Sequence, residues 1–281
     1  MATKSAASHP DSPAARLLAS KRPLVIGHRG YSHFAPENTL ASFKLAMAAG
    51  ADLVELDYHR SKDGKLVVIH DPTLDRTTDV SERWKQKHVR VESRTAAEIQ
   101  RLDAGSWFDR RYAGERIPLL SEALGTIQKG NVALIERKAG EPQSCIQLLR
   151  EKKLLNKVVV QAFDWRFLTH YHEQEPDQIL GALGPPNVMP DGSKPGAREK
   201  RLSATWLDEL VKTGAKVAVW NQQISKQGIT QAHERGLRVW VYTINAPDLA
   251  NRLLDMGVDG LITNNTSLIW RTLALRANAN R

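Results

Sequence analysis

The sequence predicts an α/β fold, a closed parallel (β/α)8 barrel of the TIM type, distorted by a β-hairpin after strand 2 and a small insertion. Three observations point there. Eight short apolar runs alternate with longer amphipathic stretches. Most of these runs are followed by a helix-like stretch, as parallel strands require. The chain has 281 residues, 41% of them hydrophobic, which suits one large barrel or two small domains. An open doubly wound sheet is the alternative, and no Gly-rich dinucleotide loop supports it.

Residues 1–20 (MATKSAASHPDSPAARLLAS) are Ala/Ser-rich and lack periodicity, so they read as a flexible N-terminal tail. They hold no apolar core of the secretory-signal kind; their Ser and Arg content leaves an organellar transit peptide as the lesser alternative. A single barrel domain over 21–281 follows. Its strands are expected at 24–27, 53–57, 132–136, 158–162, 179–183, 216–220, 237–242 and 260–263. A helix over 39–49 presents Leu40, Phe43 and Met47 on one side, with Asn38 or Thr39 as N-cap and Gly50 beyond its end. Further helices are expected over 143–152, 204–213, 228–235 and 247–256, the last two ending at Gly236 and Gly257.

One connection departs from the βα alternation. In YHRSKDGKLVVIHDP, Asp63-Gly64 is a strong turn signal between two extended runs. A hairpin folded between them sets Asp57 opposite His70, provided no bulge intervenes. A second irregular region, about 72–117, is charged, carries Trp84, Trp107, Phe108 and Tyr112, and reads as a lid-like insertion. The loop 184–196 holds four prolines and three glycines and follows a strand end, on the active-site side of a barrel.

The formal charge is +9, with basic clusters at 21–22, 83–90, 110–111 and 198–201. A solvated basic surface accounts for these, with steering of an anionic substrate next. No nucleic-acid motif accompanies the charge and the aromatics do not interleave with it, so nucleic acid is not an expected partner. No run of eighteen apolar residues exists, so no stable membrane insertion is expected. Cys145 is the only cysteine, which excludes an internal disulfide and favours a reducing compartment; a cytoplasmic location is expected. The oligomeric state is left open.

Barrel enzymes place their chemistry at the C-terminal ends of the strands. There the first strand delivers His28 and Arg29, and the second delivers Glu55 and Asp57 on one face. The hairpin returns His70 and Asp71, and the third barrel strand ends in Glu136 and Lys138. Each alone has a plain explanation: a strand-end histidine bonded to backbone, a salt bridge, a polar strand exit, or, for Asn38, a helix cap. Together they require coincidence at three strand ends and a hairpin. Three carboxylates at one mouth repel unless neutralised, and an all-oxygen set suits a hard divalent cation such as Mg²⁺, Ca²⁺ or Mn²⁺. Two histidines supply acid and base near neutral pH, and Arg29 and Lys138 can hold a phosphate. The set suits phosphoryl transfer at a phosphodiester.

The stretches GHRGYSHFAPENT, GADLVELDYHRSKDGKLVVIHDPTLDRTT, RIPLLSEAL, LIERK and YTINAPDLANRLLDMGVDGLITN resemble the glycerophosphodiester phosphodiesterase family, most closely its short cytoplasmic bacterial members. The resemblance is dense over 24–78 and 117–138, clear over 236–264 and thin over 139–235. It implies a distorted TIM barrel that hydrolyses glycerophosphodiesters, such as glycerophosphocholine or glycerophosphoethanolamine, to sn-glycerol 3-phosphate and an alcohol. It implies Glu55, Asp57 and Glu136 as ligands of one divalent cation, Mg²⁺ first, with Ca²⁺ or Mn²⁺ as alternatives. It implies His28 and His70 as the acid/base pair, and Arg29 and Lys138 as phosphate and substrate contacts. Three positions depart from the family pattern. Tyr242 stands for a tryptophan, which keeps an aromatic wall and adds a hydroxyl. Ala162-Phe163 stands for Ser-Phe, removing a hydroxyl beside the Phe163 substrate contact. Asn264 stands for an aspartate that a helix cap would not require. Two rival readings are a lysophospholipase D-type enzyme, which needs an apolar groove, and a non-catalytic phosphodiester-binding module, against which every expected position is filled.

Overall fold

Nine strands and eleven helices are found in the computed structural model, which describes residues 11–197 and 199–279. The strands are β1 (Leu24–Gly27), β2 (Leu53–Arg60), β3 (Leu66–Val68), β4 (Val132–Arg137), β5 (Val159–Ala162), β6 (Leu180–Gly184), β7 (Val217–Trp220), β8 (Arg238–Val241) and β9 (Gly260–Thr263). The helices are α1 (Pro13–Leu18), α2 (Leu40–Ala48), α3 (Val80–Arg83), α4 (Ala96–Ile99), α5 (Leu120–Ile127), α6 (Pro142–Glu151), α7 (Trp165–Gln174), α8 (Ala204–Val211), α9 (Lys226–Glu234), α10 (Pro247–Met256) and α11 (Thr266–Ala279). Helices α1, α3, α4, α5, α7 and α11 go beyond the sequence reading. For α7 a signal was present: Asp164 caps it by accepting from Phe167 N at 3.1 Å, and Trp165, Leu168 and Tyr171 bury one side.

Eight strands form the barrel. Each pairs in parallel with the next, in the order β1, β2, β4, β5, β6, β7, β8, β9, and β9 returns to β1. Alternate residues of each strand point inward. At the N-terminal end and middle these are apolar: Leu24, Ile26, Leu53, Val132, Leu134, Val159, Val217, Val219, Trp240 and Ile262 form one cluster. At the C-terminal end they become polar. Asp57 pairs with Glu136, and Glu136 with Gln161, so the three lie at one level around the wall.

The tail reading needs correction over part of its length. Residues 1–10 lie outside the described residues, but Pro13–Leu18 is a helix capped by Ser12, whose hydroxyl accepts from Ala15 N at 3.1 Å. Ala14 is fully buried, and Ala15, Leu17 and Leu18 pack on the interior cluster. These apolar side chains close the lower end of the barrel; the stretch was too short for its period to be read.

The hairpin forms, one residue out of the expected register. Tyr58 faces Val68, His59 faces Val67 and Arg60 faces Leu66, so His70 lies beyond the ladder rather than opposite Asp57. The loop spans three residues: Ser61 N donates to Lys65 O at 2.9 Å, Gly64 N to Ser61 O at 3.0 Å, and Gly64 has φ +79. A turn ending on a left-handed glycine takes the odd residue that a two-residue turn lacks. The insertion is a packed body, not a detached lid. Val67, Ile69, Leu74, Val80, Val91, Ile99, Leu102 and Ile117 form their own apolar cluster.

Candidate active site

Each site residue follows from the way an apolar strand ends. β1 stops at Gly27, and the chain turns through Arg29 and Gly30, both left-handed (φ 53 and φ 84). Gly30 is required there. A Cβ would lie 2.7 Å from Ser42 C and 2.8 Å from Ser42 O, on the backbone of α2. The turn aims the Arg29 amide at Glu55, whose Oε2 accepts from Arg29 N at 2.6 Å. The Arg29 guanidinium donates to Glu37 at 2.8 Å and sits 3.4 Å from Asp57.

Glu55, Asp57 and Glu136 come together as expected. All three are buried, and each offers an oxygen within 4.8 Å of the other two. Lys138 Nζ lies 3.1 Å from Asp57 Oδ1 and is hydrogen-bonded to Glu136. Burial and then the charges of Asp57 and Glu136 push Glu55 well above the usual carboxylate range. Burial and the charge of Asp57 push Glu136 up to about 7. Burial works against ionisation of Asp57 too, but Lys138 and Arg29 hold it down to about 2. Glu55 Oε1 is buried without a hydrogen-bond partner, and Asp57 Oδ1 has only the Lys138 ammonium beside it. An unsatisfied buried carboxylate oxygen is costly, and a hard divalent cation is the group that this all-oxygen set fits.

The two histidines flank Asp57, close enough that its charge bears on both. Their partners differ. His28 Nδ1 is 2.6 Å from Asn264 Oδ1. An amide oxygen only accepts, so Nδ1 carries the proton and Nε2 is left with its lone pair. Burial, and then the Arg29 charge, lower His28 to about 4. His70 Nδ1 is 2.7 Å from Asp71 Oδ1, and the His70 carbonyl accepts from His59 Nε2 at 3.0 Å. Burial lowers His70, and the charge of Asp57 and the bond to Asp71 counter it.

Phe163 and Tyr242 stand edge to face with ring centroids 6.0 Å apart, both half-buried above the interior cluster. The Tyr242 hydroxyl donates to Gly184 O at 2.8 Å, so it is engaged with the wall.

Sequence reasoning passed over several residues. Asn38 is not a cap: Thr39 caps α2, while Asn38 Nδ2 donates to Asp57 Oδ2 at 2.8 Å and Asn38 Oδ1 accepts from Asp57 N at 3.1 Å. Its φ is +59, a left-handed conformation that asparagine tolerates. Asn264 is not a cap either, but the partner of His28. Gln161, level with Glu136, is buried with Oε1 unpartnered. Beside Lys138 a cavity of about 390 Å³ is lined by His59, Arg60, Lys62, Arg90 and Glu92.

A model of the glycerophosphoryl diester phosphodiesterase family matches residues 28–268. The chain belongs to this family. A Bacillus subtilis glycerophosphodiester phosphodiesterase is 32% identical, over 91% of this chain and 88% of its own length. One from Caldanaerobacter subterraneus is 33% identical, over 86% and 93%. The structure of an Oleispira antarctica phosphodiesterase, in complex with the product sn-glycerol-3-phosphate, superposes with a TM-score of 0.78 and 28% identity, over 92% of this chain and 99% of that one. Membership makes the chain a phosphodiesterase, a metal-binding hydrolase on a TIM barrel. Among the described residues, no helix is long and apolar enough to cross a membrane.

Proposed function

We propose that this enzyme hydrolyses glycerophosphodiesters with small polar head groups, such as glycerophosphocholine and glycerophosphoethanolamine, to sn-glycerol 3-phosphate and an alcohol. The observation that carries the proposal is the joining of three buried carboxylates, two histidines and two cations at one barrel mouth. Glu55, Asp57 and Glu136 hold one divalent cation, for which Mg²⁺ is our first choice and Ca²⁺ or Mn²⁺ the alternatives. When bound, the cation neutralises charge on the phosphate oxygens. Arg29 and Lys138 hold the phosphate beside it. Phe163 and Tyr242 form the aromatic wall of the substrate pocket.

The partners of the two histidines support an order of proton transfers. His28 is neutral at pH 7, with Nδ1–H held by Asn264, so its Nε2 removes the proton from the attacking hydroxyl. His70 has a carboxylate on Nδ1, which opposes the lowering by burial, so we assign its Nε2 the protonation of the leaving alkoxide. The attacker is water or the neighbouring glycerol hydroxyl, and the second route passes through a cyclic phosphate. We take the barrel of residues 21–281, with α1 closing its lower end, as one catalytic unit working in the cytoplasm, where lone Cys145 stays reduced.

The test incubates purified protein with glycerophosphodiesters and lysophosphatidylcholine, with EDTA or with added Mg²⁺, Mn²⁺ or Ca²⁺, and follows products by phosphorus NMR. The expected result is metal-dependent sn-glycerol 3-phosphate from the water-soluble diesters. A cyclic phosphate seen before the monoester identifies the attacker. No phosphomonoester under any condition defeats the proposal.

A further inference from the structure

Arg76 lies outside the set of residues that contact metal or phosphate, on the loop that follows His70. Its guanidinium spans two carboxylates that belong to different strand ends. Nε donates to Asp71 Oδ2 at 2.7 Å and Nη2 to Asp71 Oδ1 at 3.0 Å. Nη1 donates to Glu37 Oε2 at 2.9 Å and Nη2 to Glu37 Oε1 at 2.8 Å. Each carboxylate is at the same time bound to a residue of the proposed chemistry. Asp71 Oδ1 receives His70 Nδ1, and Glu37 Oε1 receives Arg29 Nη1. The chain Arg29–Glu37–Arg76–Asp71–His70 is therefore unbroken. It crosses from the loop after β1 to the loop after β3.

We propose that Arg76 is a positioning residue that locks the phosphate-holding Arg29 and the proton-transferring His70 in one mutual geometry, acting through Glu37 and Asp71.

Three features support this role over plain stability. The Arg76 side chain is 43% exposed, and ion pairs at that exposure add little to folding. All four carboxylate oxygens are engaged by one planar fork, which lysine could not reproduce with a point charge. The loop beneath Arg76 is itself tied down. Asp75 accepts from His88 N at 2.7 Å and Val89 N at 3.0 Å, and Thr78 Oγ1 donates to Leu74 O at 2.6 Å. A fixed backbone carrying a bidentate fork holds its partners to a fraction of an ångström, the tolerance that proton transfer and phosphate binding need.

The inference rests on the proposed function, and the experiment separates the two. kcat and KM for glycerophosphocholine are measured with saturating metal for wild type, Glu37→Gln, Asp71→Asn and the double variant. The same four are then measured in an Arg76→Ala background, with circular dichroism to verify folding. The expected result is a loss in kcat/KM of about tenfold or more for Arg76→Ala, with both kcat and KM affected. Glu37→Gln and Asp71→Asn, whose side chains meet only through Arg76, should couple by about fivefold in the wild-type background and not at all in Arg76→Ala. Arg76→Lys should recover less than about a tenth of the loss. Should Arg76→Ala fail to fold, Arg76→Gln serves as the background. Near-wild-type kinetics for the Arg76 variant, additivity in the wild-type background, or coupling that persists without Arg76 overturns the inference. A wild-type protein without turnover overturns the function and the inference together.

Discussion

Asn38→Ala tests the site at the residue that hides best in the sequence. Asn38 is buried and makes both of its side-chain contacts with Asp57, one to the carboxylate and one to the backbone N–H. Alanine removes a hydrogen bond to a charged group, worth about 1.5–3 kcal/mol. It leaves the Asp57 N–H unsatisfied, at about 1–3 kcal/mol. It also places a Cβ residue without a local hydrogen bond at φ +59, at about 1–2 kcal/mol. The lower ends of these ranges sum to about 3.5 kcal/mol. For a chain of this size that lowers Tm by roughly 6 °C. The Asp57 carboxylate, freed to rotate, should bind the divalent cation about 10–100-fold more weakly. Urea unfolding and metal titration by calorimetry read the two effects separately. Asn38→Gly removes the left-handed strain alone, so it should recover about 1 kcal/mol of stability and none of the metal affinity. A metal affinity within twofold of wild type for Asn38→Ala would refute the orienting role.

Asn264→Asp puts a carboxylate on His28 Nδ1. His28 then rises from about 4 by roughly 1–3 units, because an adjacent negative charge favours the imidazolium. A base must be unprotonated, so the acid limb of kcat/KM moves to higher pH while activity above pH 8 is kept; an unmoved limb rules His28 out as the base. Gly30→Ala forces a Cβ against the Ser42 backbone at a positive φ, and should cost about 2–5 kcal/mol in urea unfolding; a loss under 0.5 kcal/mol contradicts the close approach. A divalent cation at a hundred times its Kd should raise the unfolding free energy by about 2.7 kcal/mol, and EDTA should reverse this. An unfolding curve unmoved by metal argues against Glu55, Asp57 and Glu136 as ligands.

Much of this protein is legible along the chain because period-2 burial is local. An apolar strand that ends in charged residues of one face, as 53–57 and 132–138 do, announces both its place in a barrel and the chemistry at its mouth. Glu55, Asp57, Glu136, His28 and His70 were named on that basis, and the structure gathers them at one end of the barrel. The hairpin was legible too, but its register was not. Whether a turn takes two residues or three depends on whether Gly64 adopts the left-handed conformation, and one residue moves His70 off the ladder. Helix α1 escaped notice because six residues carry little periodic signal; burial of Ala14 against the barrel makes it a helix.

The sequence by itself determined the barrel, the acidic trio and His28, since each depends on how one apolar strand ends; His70 came through a hairpin whose register the structure then shifted. Only the tertiary structure decided what holds them. Asn264 reaches His28 across 236 residues because β9 pairs with β1, Gly27 opposite Thr263, when the barrel closes. Arg76 joins Glu37 to Asp71 because two strand-end loops meet at the same rim. Loop side chains have no period to betray their direction. Their partners are chosen by closure of the sheet, so the same asparagine that reads as a cap becomes the residue that holds the Asp57 carboxylate.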